Sequence, residues 1–408
     1  MRIQRITTNY PAYLNGFFAK RPQLATKSFQ EQHAALMADA SGWSDFWSVA
    51  LEKLGYQMVE TVSNVESMQK AWASENGVEY MPENWMFEIT TAQVRAFQPD
   101  VLFVNDYATF TAAYLSHLKS ACPSIKLVLG WCGAPYSDAS VFKEYDVVLS
   151  SAPELVQHFI DHGHRSALIM HAFEPRVLTK LDSVSATPAE FAFIGSIAKK
   201  QGFHHEREAL LLSLLAETPL ELWTTVSPTS WSLSANIRSR QLMYDFVHAA
   251  KRAGVPEPML QAGVFGKTLR WKQRPTMPAP VDARLVRAAR APVFGLEMYA
   301  QLAQSRVTLN SHIDMSEQYA SNMRLYEATG VASCLLTDWR PNMPELFAVD
   351  TEVVTYKTAD ECIEKVKYLL DHEDERQAIA RAGQKRTLRN HTFDNRAVQL
   401  DALIREKI

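Results

Sequence analysis

The chain has 408 residues, which is enough for two domains that each bury a hydrophobic core. With 42 lysines and arginines against 45 aspartates and glutamates, the formal charge is −3, and this balance argues against nucleic acid as a partner. No apolar run approaches the ~18 residues of a membrane span and the N-terminus has no signal-peptide core, so we expect a cytoplasmic protein.

The first part of the chain alternates short apolar runs with amphipathic segments. Residues 1–8, 56–62, 99–106, 125–129 and 145–151 have strand patterns, and the segments near 65–73 and 85–97 have helical ones. This alternation predicts an α/β domain with a doubly wound parallel sheet over residues 1–175. Residues 176–188 become polar and rich in Ser and Pro, which is typical of a linker.

Polar and aromatic residues follow several of these strands. Ligands of open α/β sheets bind beyond the carboxyl ends of the strands, so these residues are candidates for contact with an acceptor substrate. Ordinary strand-to-loop connections would have the same composition. The candidates are Asn9, Tyr10, Tyr13, Tyr107, Trp131 and Gly133. The loop after the first strand has no Gly-x-Gly-x-x-Gly pattern, which argues against a nicotinamide or flavin cofactor.

Two residues at this edge are candidate catalytic bases. Asp106 closes an apolar run, where burial could raise its pKa enough for it to accept a proton. The alternative is that Asp106 caps a helix starting near Thr109. His171 stands at a later strand end, and it either contacts a substrate or has a structural role.

A second α/β domain is predicted over residues 189–390, with a last helix over 391–408. Its first strand, residues 190–196, ends in Gly195 and Ser196, which allow close backbone approach and a hydrogen bond to donor phosphates. Lys200 and Arg207 would add positive charge beside this loop. The strand at 306–310 leads to Asn310, His312 and Asp314. Two ligands in one loop are too few for a metal site, so hydrogen bonds to a nucleotide or sugar are the preferred interpretation.

Residues 227–295 interrupt the alternation and are predicted to form a helical insertion. Between residues 267 and 290 the insertion has seven basic residues and a single acidic one, Asp282. This excess indicates contact with something anionic, such as a lipid phosphate or the inner membrane face, or else a solvated basic surface. The basic residues are Lys267, Arg270, Lys272, Arg274, Arg284, Arg287 and Arg290.

The segment after this insertion has the pattern of a helix over 321–329 followed by a strand over 331–337. Arg324 and Glu327 are three residues apart and can meet on one helix face. They form either a surface ion pair or a site in which Arg324 faces an anion and Glu327 binds sugar hydroxyls, with Asn322 beside them.

The C-terminal half resembles CgeB-like bacterial glycosyltransferases. The resemblance rests on Asn322-Met-Arg-Leu-Tyr-Glu-Ala-Thr-Gly330, Cys334-Leu-Leu-Thr-Asp338, Pro344-Glu-Leu-Phe347, Glu352-Val-Val-Thr-Tyr356 and Gly383-Gln-Lys-Arg-Thr-Leu-Arg-Asn-His-Thr-Phe393. It implies a GT-B fold, in which two Rossmann-like domains face each other across a cleft and the last helix crosses back to the first domain. One residue departs from the pattern of retaining relatives, because Tyr319 stands where they often have a second glutamate.

The resemblance also implies a reaction and its partners. It implies metal-independent transfer from a nucleotide sugar, with UDP as the expected nucleotide, to a glycan, lipid-linked or protein acceptor in surface polysaccharide synthesis. The nucleotide sugar is then a substrate, and no further cofactor is expected. A non-catalytic sugar-nucleotide or glycan-binding scaffold of the same fold is the alternative, because fold alone does not confer activity. A phosphosugar epimerase or synthase is a third possibility.

Overall fold

The computed structural model describes residues 1–134, 136, 138–197, 205–225, 231–260, 263–269, 271, 274–275, 280–312 and 318–408. Within them the chain forms two parallel sheets of six strands each, with helices packed on their faces. The predicted architecture of two doubly wound parallel-sheet domains is confirmed. No helix of this described part is long and apolar enough to cross a membrane.

The first sheet has the strand order β2-β1-β3-β4-β5-β6, and every neighbouring pair is parallel. The chain moves outwards from β1 to β2 and then continues on the other side of β1, so the order reverses between β1 and β3. The strands are β1 (Arg2–Thr7), β2 (Gln57–Val62), β3 (Val101–Val104), β4 (Leu127–Trp131), β5 (Val147–Ser150) and β6 (Ser166–Leu168). The helices of this domain are α1 (Pro11–Ala19), α2 (Phe29–Ala38), α3 (Phe46–Glu52), α4 (Glu66–Glu75), α5 (Trp85–Phe97), α6 (Ala112–Ala121) and α7 (Pro153–Asp161).

The second sheet has the order β12-β11-β10-β7-β8-β9, and its reversal lies between β7 and β10. Its strands are β7 (Ala189–Ser196), β8 (Leu220–Thr225), β9 (Ala289–Arg290), β10 (Ser305–Asn310), β11 (Cys334–Asp338) and β12 (Val354–Tyr356). The helices are α8 (His205–Glu217), α9 (Trp231–Arg252), α10 (Glu257–Leu260), α11 (Gly263–Leu269), α12 (Ala283–Ala288), α13 (Gly295–Ala303), α14 (Arg324–Gly330), α15 (Met343–Leu346), α16 (Ala359–Asp371), α17 (Glu373–Asn390) and α18 (Phe393–Lys407).

Several boundaries differ from the prediction. The helix predicted over 321–329 begins only at Arg324, and the strand predicted over 331–337 begins at Cys334. Ala332, between them, has a φ of +61°, so a left-handed turn takes up residues that the apolar pattern assigned to the strand. The predicted insertion also contains β9, which adds an edge strand to β8. Two residues carry no periodic signal, so sequence alone could not indicate β9.

The domains touch on both sides of the cleft between them. On one side, the backbone N–H of Leu296 donates to the carbonyl of Asp39 at 2.8 Å. Gly295 has a φ of +54°, and a Cβ there would overlap Asp39, so this contact requires glycine. On the other side, α18 crosses back and packs on α3 of the first domain, as the expected fold requires. Phe393 of α18 lies against Phe46 and Trp47 there.

Candidate functional site

The cleft is bounded by the carboxyl ends of the two sheets at the points where their strand orders reverse. In the first domain these ends carry Thr8, Asn9 and Asp106, and in the second they carry Ser196 and His312. Ligands of open parallel sheets bind at such points. Both halves of the predicted site therefore lie at the carboxyl ends of their sheets.

Arg324 and Glu327 form the predicted pair on α14. Nη1 of Arg324 lies 2.8 Å from Oε2 of Glu327, and the side chains are 15% and 6% exposed. Burial raises the pKa of Glu327, and the Arg324 guanidinium opposes that rise. The sulfur of Met298 and the ring of Tyr299, on α13, lie beside the pair. The pair is therefore not a solvent-exposed salt bridge, and removing either partner would leave the other charge buried and unpaired.

Arg207 joins the two strand ends at the reversal of the second sheet. Its guanidinium donates to the carbonyl of Ser196, at the end of β7, and to the carbonyl of Ser311, just after β10. The predicted donor-binding residue thus fixes the loops that carry Gly195 and Ser196. Ser196 is exposed and Gly195 is half-buried beside the Phe193 ring. Lys200 and Asp314, two further predicted donor contacts, lie outside the described residues.

Asn310 and Asn322 form a polar connection between β10 and the start of α14. Asn310 donates to the hydroxyl of Thr337 at 2.8 Å and accepts from Nδ2 of Asn322 at 2.7 Å. The Oδ1 atom of Asn322 is buried and has no hydrogen-bond partner in the described part of the chain. Asn310 is therefore a buried support that joins β10 to the segment before α14.

His312 is paired with Asp338, a residue that the sequence analysis names only as the end of the family-like segment Cys334–Asp338. His312 Nδ1 lies 2.7 Å from Asp338 Oδ1, and the His312 backbone N–H donates to the same oxygen at 3.1 Å. Nη2 of Arg340 lies 2.8 Å from Oδ2 of Asp338. Asp338 ends β11 at the carboxyl edge, and this position is the signal that could have identified it.

Glu154 is a second residue that the sequence did not single out. It lies in the first turn of α7, in the first domain, and its two buried carboxylate oxygens have no hydrogen-bond partner on any other residue that the structure describes. Burial raises the pKa of Glu154, and a hydrogen bond from its own backbone N–H, together with the nearby His312 and Arg340, opposes that rise. Glu154 therefore faces the His312 side of the second domain.

The predicted bases of the first domain are already engaged or enclosed. Asp106 accepts hydrogen bonds from the backbone N–H groups of Ala108 and Thr109, both at 3.0 Å, and from the hydroxyl of Thr8. It thus closes a turn rather than capping a helix, since α6 begins at Ala112. The His171 ring lies against Trp43 and Trp131, and burial, with a contribution from Arg396, lowers its pKa to about 3.

The predicted acceptor contacts fall into two groups. Tyr10 is 78% exposed, Gly133 is exposed, and Tyr107 donates to the carbonyl of Ala134 at the cleft edge. Asn9 also lies at the edge, where its backbone is held by the amide of Asn64. The predicted acceptor contacts of Tyr13 and Trp131 need correction, because both rings are buried in the core. Tyr13 instead donates to Asp39 at 3.0 Å, beside the domain contact.

Two further expectations concern metals and basic residues. Among the described residues, no group of three or more His, Cys, Asp or Glu side chains is arranged to hold a metal ion. In the basic segment, Arg270 and Lys272 lie outside the described part of the chain. Ion pairs join Arg274, Arg284 and Arg290 to the neighbouring carboxylates of Asp245, Asp282 and Glu221.

Comparison with known proteins identifies the fold. Residues 239–402 match the glycosyl transferase-like family model Glyco_trans_1_2, and no curated protein matches the chain. The Anabaena protein HepE in complex with UDP-glucose superposes over all of both chains with 9% identity and a TM-score of 0.53. Sucrose-phosphate synthase from Thermosynechococcus elongatus, 9% identical, covers 100% of this chain and 98% of its own with a TM-score of 0.52. A glycosyltransferase from Rickettsia africae is 12% identical, and the match covers 100% of this chain and 98% of that one with a TM-score of 0.50. The chain therefore has the GT-B fold of glycosyltransferases, and its C-terminal segment matches the glycosyl transferase-like family.

Proposed function

We propose that the protein is a glycosyltransferase that moves a sugar from a nucleotide sugar to a hydroxyl group. The observation that carries this proposal is the buried Arg324–Glu327 pair at the cleft edge, within the segment that matches the family model. The presence of UDP-glucose in HepE, which has the same fold, supports a UDP-linked donor. The acceptor is a glycan, a lipid-linked sugar or a protein.

In this proposal the second domain holds the donor. Glu327 accepts hydrogen bonds from sugar hydroxyls, and Arg324 faces the phosphate that leaves. Breaking the glycosidic bond to that phosphate concentrates negative charge on its oxygens, and a fixed cation lowers the energy of this state. Arg324 supplies that charge here without a metal ion. The exposed Ser196 and the backbone at Gly195 complete the contacts with the phosphates.

The setting we propose is the synthesis of surface polysaccharide in the bacterial cytoplasm. Residues 267–290 would then make a peripheral contact with anionic lipid at the inner membrane face. The local excess of lysine and arginine supports this contact. The ion pairs of Arg274 and Arg284 reduce the charge that these residues can offer to lipid.

A thermal-shift screen against UDP, GDP, CMP, dTDP and their common sugar conjugates tests donor binding. A ligand that binds the folded state raises the melting temperature by mass action. We expect a selective shift that Arg324→Ala and Glu327→Gln abolish. Arg306→Ala is the matched control, because Arg306 pairs with Glu190 and Glu373 at the opposite end of β10. A shift that survives Arg324→Ala, or no shift with any nucleotide, would contradict the proposal.

Turnover distinguishes the enzyme from a binding scaffold of the same fold. The protein is incubated with the nucleotide sugar that the screen selects, and release of the free nucleotide is followed. If the nucleotide is released and the sugar itself is not epimerised, the result supports transfer to a hydroxyl group, including that of water. Binding without any release would favour the non-catalytic scaffold.

A further inference from the structure

The Asp338 carboxylate fixes both the position and the tautomer of His312. It accepts from the ring Nδ1 at 2.7 Å and from the backbone N–H, while Arg340 contacts its other oxygen. Burial opposes ionisation of Asp338, but His312 and Arg340 outweigh it and hold the pKa of Asp338 below its usual value. Because an ionised carboxylate can only accept, Nδ1 carries the proton. In the neutral ring, Nε2 is then an unprotonated acceptor.

Nε2 of His312 is a buried acceptor whose hydrogen bond is not made within the described residues. His312 is 3% exposed, and Nε2 is buried with no hydrogen-bond partner among the residues that the structure describes. Buried polar atoms almost always have a partner, so an aligned and unpartnered nitrogen in a cleft indicates where a donor group binds. Besides Asp338 and Arg340, the titratable groups near this pair among the described residues include Glu154 and, beside Asp338, Tyr356 of β12 and Cys362 of α16.

Glu154 supplies a matching acceptor from the other domain. Its two oxygens are also buried, with no hydrogen-bond partner on any other described residue, and its carboxylate lies within the electrostatic influence of His312 and Arg340. Two acceptors from opposite domains thus lie near the same space. Hydroxyl groups, which donate hydrogen bonds, are the chemistry that satisfies both. Neighbouring hydroxyls of a sugar acceptor could meet Nε2 and the carboxylate together.

The two bases predicted from the sequence are poorer candidates. Both oxygens of Asp106 already accept hydrogen bonds from its own turn and from Thr8. The His171 ring is enclosed by tryptophans, and a pKa of about 3 makes it a weak base at neutral pH. The His312 ring instead has a fixed orientation and a carboxylate partner, the arrangement that supports a histidine base in hydrolases.

Resting on the proposed function, we propose that His312, held by Asp338, is the general base that takes the proton of the attacking acceptor hydroxyl, and that Glu154 positions this hydroxyl. The hydroxyl oxygen forms a bond to the anomeric carbon. The bond between that carbon and the phosphate oxygen breaks, and its electron pair leaves with the nucleotide. The proton moves to Nε2, and Asp338 stabilises the imidazolium. A single displacement of this kind inverts the anomeric configuration.

Kinetics with the nucleotide sugar selected by the screen test the base directly, with water as the acceptor. His312→Gln should lower kcat by about 10²–10⁴-fold with nucleotide affinity within two-fold of wild type, because the base acts on the proton transfer. Glu154→Gln should also lower the rate. Exposed His162, directly after α7, gives the control His162→Gln, which should match wild type.

The NMR signals of the His312 ring nitrogens provide a second test that needs no substrate. In protein labelled with ¹⁵N-histidine, the signal that disappears in His312→Gln should show a protonated Nδ1 and a bare Nε2 at pH 7.5. Asp338→Asn should shift this ring towards the other tautomer. A neutral ring protonated at Nε2, a product with retained configuration, or wild-type turnover in His312→Gln would overturn the base. Failure of the wild type to bind any nucleotide would instead overturn the proposed function.

Discussion

The ring of Phe173 fills the space in which a side chain on Gly330 would have to lie. A Cβ built on Gly330 overlaps the Cγ and Cδ atoms of that ring. Phe173 follows the last strand of the first domain, whereas Gly330 ends α14 of the second. The missing side chain therefore allows the domains to pack closely behind α14, the helix that carries Arg324 and Glu327.

Gly330→Ala tests this packing. We expect a loss of about 1–3 kcal/mol in the free energy of unfolding, because the added methyl must displace a buried ring. Urea unfolding measures the change. The control is Gly16→Ala in α1, where a Cβ meets nothing within 4 Å. That substitution should stabilise the helix by up to about 1 kcal/mol. Equal stability of Gly330→Ala and wild type would show that the ring moves aside freely.

Glu327→Gln should separate stability from binding. Burial raises the pKa of Glu327 above its ordinary value of 4.5, even with Arg324 beside it. At a pH just above 4.5 the folded state therefore binds more protons than the unfolded state. Stability contributed at low pH is then lost as pH rises. The glutamine variant has no such loss, so its melting temperature relative to wild type should rise between pH 4.5 and 7 while nucleotide binding falls.

Glu361→Gln is the control of opposite sign. Lys365, and the backbone N–H of Lys357, hold the pKa of Glu361 below its usual value. Its stabilising contribution is present above pH 4.5 and is lost as pH falls. The melting temperature of this variant relative to wild type should therefore decrease as pH rises. The same trend in both variants would contradict the assignment of a burial penalty to Glu327.

His391 gives a prediction for acid stability. Burial, with smaller contributions from Arg396 and Arg386, lowers its pKa to about 4, although a hydrogen bond to Leu346 opposes the shift. The unfolded state therefore binds more protons between about pH 6.5 and 4, and stability is lost as pH falls through this range. His391→Gln should flatten that loss by up to about 1.4 kcal/mol per pH unit. Urea unfolding at pH 6.5 and 4.5 measures the slope, and an unchanged slope would contradict the prediction.

Sequence reasoning predicted the architecture because helical and strand periods alternate along most of the chain. It also predicted the Arg324–Glu327 pair, since a spacing of three is enough to bring two side chains together on a helix. It could not identify the partner of His312, because Asp338 stands 26 residues later and only the pairing of β10 with β11 joins them. Glu154 was missed for the same reason, since its neighbours lie in the other domain.

The terminal helix yields a last prediction. Phe393, the first residue of α18, packs between Phe46 and Trp47 with ring centroids 5.1 and 5.4 Å apart. Phe393→Ala should lower the free energy of unfolding by about 3–5 kcal/mol, because it removes a buried ring and leaves a cavity between α18 and the first domain. Phe393→Leu should recover most of this loss. Asp394→Asn removes only an exposed ion pair with Lys53 and should cost no more than about 1 kcal/mol. If alanine at 393 costs no more than asparagine at 394, then α18 rests on the first domain without contributing to its stability.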